Sequence, residues 1–169
     1  MIDPSASKNA LALVPTQPLE TKNQGGTYLK FQLARQTPAV LSMIQAQEVI
    51  VLAPSRLTPM PNMPPYVMGL LNRRSRVLWV IDLSRMLGLP GVETNVQQYS
   101  IVIIGNESAT LGLIVVAVEG VIRLTSECIQ SPLEQLSSSI VPYLRGCILQ
   151  EQEILLLLDT EAIMRNARQ

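Results

Sequence analysis

The chain has 169 residues, 47% of them apolar, with 13 basic and 13 acidic side chains and no histidine. That length fits one domain or two small subdomains sharing a core, and a formal charge of zero gives no bulk attraction to nucleic acid or anionic lipid. The missing histidine excludes Ser-His-Asp and Cys-His catalysis and removes the commonest metal ligand, so carboxylates and lysines would have to carry any enzymatic chemistry.

Residues 1–26 are rich in Pro, Ser, Asn and Gln and end at Gly25-Gly26, the composition of a flexible tail. Within it, residues 11–14 read as an incidental apolar cluster or as a short docking segment. No basic region followed by a signal-like apolar segment opens the chain. Its longest apolar stretch, residues 111–118 with Gly112 inside, falls far short of the ~20 residues that span a bilayer. Cys128 and Cys147 form no CxxC, which points to a reducing compartment. These features predict a cytoplasmic protein without direct membrane insertion.

Order is expected from Thr27. Leu29, Phe31 and Leu33 alternate with Tyr28, Lys30 and Gln32, the pattern of a half-buried strand. After a turn at 36–38, residues 39–52 carry both helical and strand spacings; without a helix cap they read as two short strands. Five prolines between 54 and 65 form a rigid connector. Residues 77–81 are a buried strand. Asp82 or Ser84 then caps a short helix that Gly88 and Pro90 stop. A linker covers 91–98, strands are expected over 99–104, 111–118 and 121–124, and a polar connector with one helical turn over 131–139. Two apolar strand segments flank a polar turn at 150–153, and Asp159 caps a terminal helix. By pattern, Val49, Leu71, Val77, Ile81 and Ile101 are core, and both cysteines are small buried hydrophobes.

The sequence repeats itself. Residues 65–71 (PYVMGLL) match 142–148 (PYLRGCI), and 76–82 (RVLWVID) match 153–159 (EILLLLD), at a constant offset of 77 residues. The repeat units centre on 65–87 and 142–164. Gly69 and Gly146 share a repeat position and suggest a tight backbone approach. Asp82 and Asp159 also correspond. They are helix caps, or, in a hydrolase reading, a carboxylate pair in one cleft. A weaker echo places Ala46-Gln47-Glu48 on Ala117-Val118-Glu119 at an offset of 71. Units of about 70 residues are marginal alone, so two would stabilise each other. Many short strands between close turns suggest small barrels.

Residues 69–83, Gly-Leu-Leu-Asn-Arg-Arg-Ser-Arg-Val-Leu-Trp-Val-Ile-Asp-Leu, resemble the signature of the CheW-like family. That signature runs Gly, two apolar residues, Asn, any residue, Arg-Gly, any residue, two apolar residues, Pro, two apolar residues, Asp-Leu. Pro65-Tyr66-Val67, Leu87-Gly88, Gly112-Leu113-Ile114-Val115 and Tyr143-Leu144-Arg145-Gly146 resemble its flanking segments, and coverage extends over about residues 27–165. The resemblance implies a mainly β fold of two intertwined SH3-like five-stranded β-barrel subdomains with short helices, spanning residues 27–169. It implies an adapter, without catalysis or cofactor, that couples a methyl-accepting chemoreceptor tip to a CheA-like histidine kinase and pairs with other CheW-like domains. Two departures stand out. Ser75 replaces the family glycine, which argues against a turn that requires positive φ, and Trp79 replaces the proline. They suggest a divergent paralogue of the branch that serves type IV pili, twitching motility or phototaxis; a cytoplasmic structural component of a pilus system is the alternative.

The resemblance places the protein-binding residues at Arg74, its motif arginine, with Asn72, Arg73, Arg76 and Trp79. A planar guanidinium suits a carboxylate or carbonyls across an interface. Read without the family, Arg73-Arg74-Ser75-Arg76 is a solvated basic turn, too small to be a nucleic-acid platform. Trp79 reads as core, or as an interface anchor if its strand faces outward. Met60, Met63 and Met68 read as an adaptable docking surface or as core filling.

Overall fold

The computed structural model describes residues 25–131 and 136–167. The expected tail lies outside them except for Gly25 and Gly26, and Gly26 already opens the first strand. Eleven strands and two helices follow in chain order. They are β1 (Gly26–Ala34), β2 (Thr37–Ser42), β3 (Ala46–Leu52), β4 (Val67–Arg73), β5 (Arg76–Asp82), α1 (Leu83–Met86), β6 (Tyr99–Gly105), β7 (Thr110–Val115), β8 (Ala117–Leu124), β9 (Ile129–Gln130), β10 (Leu144–Gln150), β11 (Glu153–Leu158) and α2 (Thr160–Ala167). In β1 the alternation buries Leu29, Phe31 and Leu33 while Tyr28, Lys30 and Gln32 stay half-buried, because only one face meets the core.

The strands form two open sheets, with orders β8-β1-β2-β11-β10-β9 and β3-β6-β7-β5-β4. This corrects the expectation of two closed five-stranded barrels. Neither sheet closes: among the described residues β8 has no ladder with β9, and β3 has none with β4. The physical reason lies in the segments that would seal the seams. One is the proline connector, which lacks amide donors at Pro54, Pro59, Pro61, Pro64 and Pro65 and contributes a single bridge, Thr58 to Leu70. The other is a 3₁₀ turn, Ser126–Cys128, followed by the two-residue β9. The result is a strand-dominated mixed α/β fold.

The sheets are two copies of one design, and each draws on distant parts of the chain. Replacing β8, β1, β2, β11, β10 and β9 by β3, β6, β7, β5, β4 and Thr58 converts one order into the other. The parallel pairs correspond as well: Trp79 lies opposite Leu111, and Leu156 opposite Ala39. The units are therefore not the N- and C-terminal halves, since β1 and β2 pair with β8 and β11. The weak upstream echo shifts by one residue. β3 bulges at Gln47 and β8 at Glu119, and these extra residues align at 72, not 71.

The run expected as one strand over 111–118 divides at Val116. There the amide N–H donates to the Gln32 carbonyl at 2.9 Å, and the chain passes from one sheet to the other. The largest core cluster lies between the sheets and joins Phe31, Leu33 and Leu41 to Ile81, Val102, Ile104 and Leu113, with Leu83 and Leu87 from around α1 and Ile163 and Met164 from α2. A second cluster belongs to the five-stranded sheet (Leu71, Leu78, Val80, Ile101, Ile114), and a smaller third to the six-stranded one (Val40, Ile148, Leu155, Leu157). Leu71, Ile81 and Ile101 are buried, but Val49 (43% exposed) and Val77 (64% exposed) are not core. Both sit on outer sheet faces that nothing in the described chain covers. Cys128 is likewise exposed, and both cysteines are free.

Candidate protein-interaction site

The β4–β5 hairpin closes on a two-residue turn, with φ of +52° at Arg74 and +65° at Ser75. Positive φ at both central residues matches the right-handed twist of the flanking strands. Serine therefore does not prevent this geometry, contrary to expectation; the strand pairing on either side imposes it, at a conformational cost. The repeat confirms the requirement, since Glu151 and Gln152, at the same offset of 77, also have positive φ.

Glu48 of β3 organises the tip. Arg73 donates a hydrogen bond from Nη2 to Glu48 Oε2, and Arg74 Nη2 lies 3.4 Å from the same oxygen. The Arg73 hydrogen bond holds the Glu48 carboxyl below its ordinary value of 4.5, and the charges of Arg73 and Arg74 add to this while burial opposes it. Arg76 reaches Thr110 Oγ1 at 3.4 Å. These groups, with Gln47 and Val77, line a cleft of about 470 Å³. Two guanidinium groups engage the one carboxylate and a third, that of Arg76, shares the cleft, so the tip keeps a positive surplus. Arg74 carries it outward, its side chain 75% exposed. Such a surface can grip a carboxylate bidentately. Sequence reasoning assigned Glu48 no role; its only signal is one acid in a strand that, Gln47 apart, is otherwise apolar.

The expected site residues divide between two neighbouring places. Asn72 is exposed directly opposite Val77, behind the basic tip. Trp79 lies further along β5, opposite Leu70, and is 37% exposed. It is neither sealed in the core nor part of the basic cleft. It walls a separate groove of about 320 Å³ with Met63, Pro64, Met164 and Ala167. Met60 is also exposed, whereas Met68 packs on the inner cluster.

The four residues expected to be structural lie away from this surface. Gly69 follows a bulge at Met68, and a Cβ there would stand 2.4 Å from the Thr58 carbonyl oxygen. Gly146 follows the matching bulge at Arg145, and its Cβ would stand 2.5 Å from the Gln130 carbonyl oxygen. Asp82 is buried and accepts hydrogen bonds from Ser84 Oγ (2.8 Å), the Arg85 amide (3.3 Å) and the Val92 amide (2.8 Å). Asp159 accepts from the Ala162 amide at 3.1 Å. Each carboxylate is thus occupied at its own helix N-terminus rather than shared in a catalytic pair. Among the described residues no cluster of three or more Cys, Asp or Glu side chains is arranged to hold a metal, and no helix is long and apolar enough to cross a membrane.

Residues 27–168 match the family model described as the CheW-like domain. The protein belongs to the CheW-like family. It is 30% identical over 106 residues to the chemotaxis protein CheW of Rhizobium meliloti, covering 63% of this chain and 68% of that one. It is 26% identical over 145 residues to the chemotaxis protein CheW of Treponema pallidum, covering 84% of each. The crystal structure of the scaffolding protein TtCheW from Thermoanaerobacter tengcongensis shares the fold, with a TM-score of 0.69 at 23% identity over 80% of this chain and 89% of that one. As a CheW-family protein, the chain is a non-catalytic signalling adapter linking chemoreceptors and CheA-like kinases. These relatives are chemotaxis proteins, and they lend no support to the pilus or phototaxis branch suggested by Ser75 and Trp79.

Proposed function

We propose that this adapter engages its signalling partners, a methyl-accepting chemoreceptor tip and a CheA-like histidine kinase, in the cytoplasm through the outer face of the β4–β5 hairpin. Residues 27–169 act as the adapter domain and residues 1–26 as a tail. Arg74 is the principal contact, with Arg73, Arg76 and Asn72 around it and Trp79 anchoring the adjacent groove. The observation that carries this reading is the placement of Arg74. Its side chain projects from a two-residue turn, is 75% exposed, and lies beside a carboxylate already engaged by Arg73. A charge preset in this way loses little freedom on meeting an acidic or carbonyl-rich surface.

The test is a pull-down from native extract with wild-type protein and an Arg74→Ala variant, both checked for folding by circular dichroism. Wild-type protein should retain a CheA-like kinase or a chemoreceptor. The variant should retain roughly ten-fold less, the scale of one lost charge-assisted hydrogen bond. Capture of neither partner by folded wild-type protein refutes the proposal, as does equal capture by the variant.

A further inference from the structure

The two sheets differ in the segments that lead into β1 and β6. Gly26 opposite Leu124 and Tyr99 opposite Leu52 are equivalent pairs, which sets these strands at an offset of 73 residues. The segment before β6 is part of the core. Val92 and Val96 pack on the second cluster, and the Val92 amide donates to Asp82 Oδ2 at 2.8 Å. The third cluster has no such cover among the described residues. A groove of about 690 Å³ lies there instead, with Gly26, Met43, Ile44, Ile129 and Leu157 in its walls, and Ile44 is 92% exposed. Met43 and Ile44 are the equivalents of Val115 and Val116, which share a cavity with Val92 and Val96. Asp159, the equivalent of Asp82, accepts nothing on Oδ2 from a described residue.

The sequence has a matching segment. At the same offset of 73, residues 18–24 (PLETKNQ) fall on 91–97 (GVETNVQ). Leu19 stands for Val92, and Glu20, Thr21 and Gln24 are identical to Glu93, Thr94 and Gln97. Of the two apolar contacts only that of Val96 is lost, to Asn23. The chain also enters β1 from that groove. Gly25 lines it, and with φ at +75° the chain runs so close to Leu124 that a Cβ would stand 1.9 Å from the Leu124 carbonyl oxygen.

We propose that residues 18–24 of this chain pack across the end of the six-stranded sheet as residues 91–97 pack across the five-stranded one, with Leu19 filling the groove beside Ile44. Burial of Leu19 against Met43, Ile44 and Leu157 supplies the attraction. Five residues separate Leu19 from Gly25, so closing the loop costs little entropy. The repeat then takes in the end of the tail, and an outside peptide finds the groove filled. This inference concerns the free chain and does not depend on the receptor and kinase reading.

Nuclear magnetic resonance of the full-length protein tests it. Heteronuclear NOE values of residues 19–24 should equal those of residues 92–97, and the Leu19 methyls should contact Met43 or Leu157 at every protein concentration. The Met43 amide donates to the Thr27 carbonyl at 3.0 Å beside the groove and reports its cover. Its hydrogen exchange should quicken roughly ten-fold in Leu19→Asp and stay unchanged in Leu13→Asp. Should Leu19→Asp fail to fold, Ile44→Asp, a change at an exposed turn, should shift the amides of residues 19–24 instead. Residues 19–24 that move independently of the domain would overturn the proposal, as would an exchange rate at Met43 that Leu19→Asp leaves unchanged or that both tail variants raise equally. So would Leu19 contacts that appear only as concentration rises, because the groove would then hold the tail of a second copy.

Discussion

Ser75 sits at φ +65° in the second position of a turn whose partner, Arg74, is also left-handed. An L-residue pays about 1–2 kcal/mol for this region, and glycine pays none of it. Glycine carries its own penalty of roughly 0.5–1 kcal/mol, because it has more freedom to lose on folding. The difference predicts that Ser75→Gly stabilises the fold by about 0.5–1 kcal/mol. No hydrogen bond from the Ser75 side chain offsets this, since among the described residues it makes none. For a chain of this size that corresponds to a rise of roughly 1–4 °C in Tm. Ser75→Val should move the other way by about 1 kcal/mol, because a β-branched residue tolerates positive φ least. Gln152→Gly, at the equivalent place in the other hairpin (φ +69°), should match Ser75→Gly in sign and size. Urea titrations followed by circular dichroism measure all three. A Ser75→Gly variant less stable than wild type, at an unchanged denaturant slope, would refute the strained-turn reasoning.

Three further outcomes follow from local geometry. Asp82→Ala should cost about 2–4 kcal/mol, since it leaves a buried hydroxyl and two amides without an acceptor, whereas Asp159→Ala loses one cap bond and should cost about 1 kcal/mol; equal losses by urea titration would contradict this. Gly69 and Gly120 have nearly the same φ, +140° and +135°, but a Cβ at Gly69 meets the Thr58 carbonyl at 2.4 Å while one at Gly120 meets nothing within 4 Å. Gly120→Ala should therefore cost only the backbone term of about 1–3 kcal/mol, and Gly69→Ala clearly more, a ranking that thermal melts can check. Glu48 has a depressed pKa in the folded chain, so its contribution to stability is present above its ordinary 4.5 and is lost as pH falls through the lower folded value. Glu48→Gln should be less stable than wild type at neutral pH, with the gap closing in acid; a gap independent of pH would remove the Arg73 pair as its source.

Much of the strand pattern was legible because it is local. Alternation marks β1, the proline run marks the connector, and the constant offset of 77 exposes the paired hairpins. The pairing between distant strands was not legible. β1 joins β8 about ninety residues away, and β2 joins β11 more than a hundred residues away. Nothing in the spelling of either strand names its partner, because backbone hydrogen bonds do not depend on side-chain identity. The passage from β7 to β8 was hidden for a related reason. Residues 111–118 remain apolar straight through Val116, since the strands on both sides need apolar residues, although they belong to different sheets.

The interaction surface was harder to read than the core. Val49, Val77 and Trp79 have strong strand propensity and an apolar character that in a single sequence denotes burial, yet all three remain at least 37% exposed. Strand propensity reports fitness for a pleated surface, not which face of that surface is covered. The repeat removes part of the ambiguity. Trp79 corresponds to Leu156, which is buried between the sheets at 4% exposure, so the two copies of the hairpin have diverged in how much they leave uncovered. The same comparison separates Arg74 from Glu151. Their shared backbone geometry is what the turn requires of either residue, so the opposite charges are free of that requirement. Folding needs the two turns to be alike; it does not need them to differ in sign, and that difference is where recognition can act.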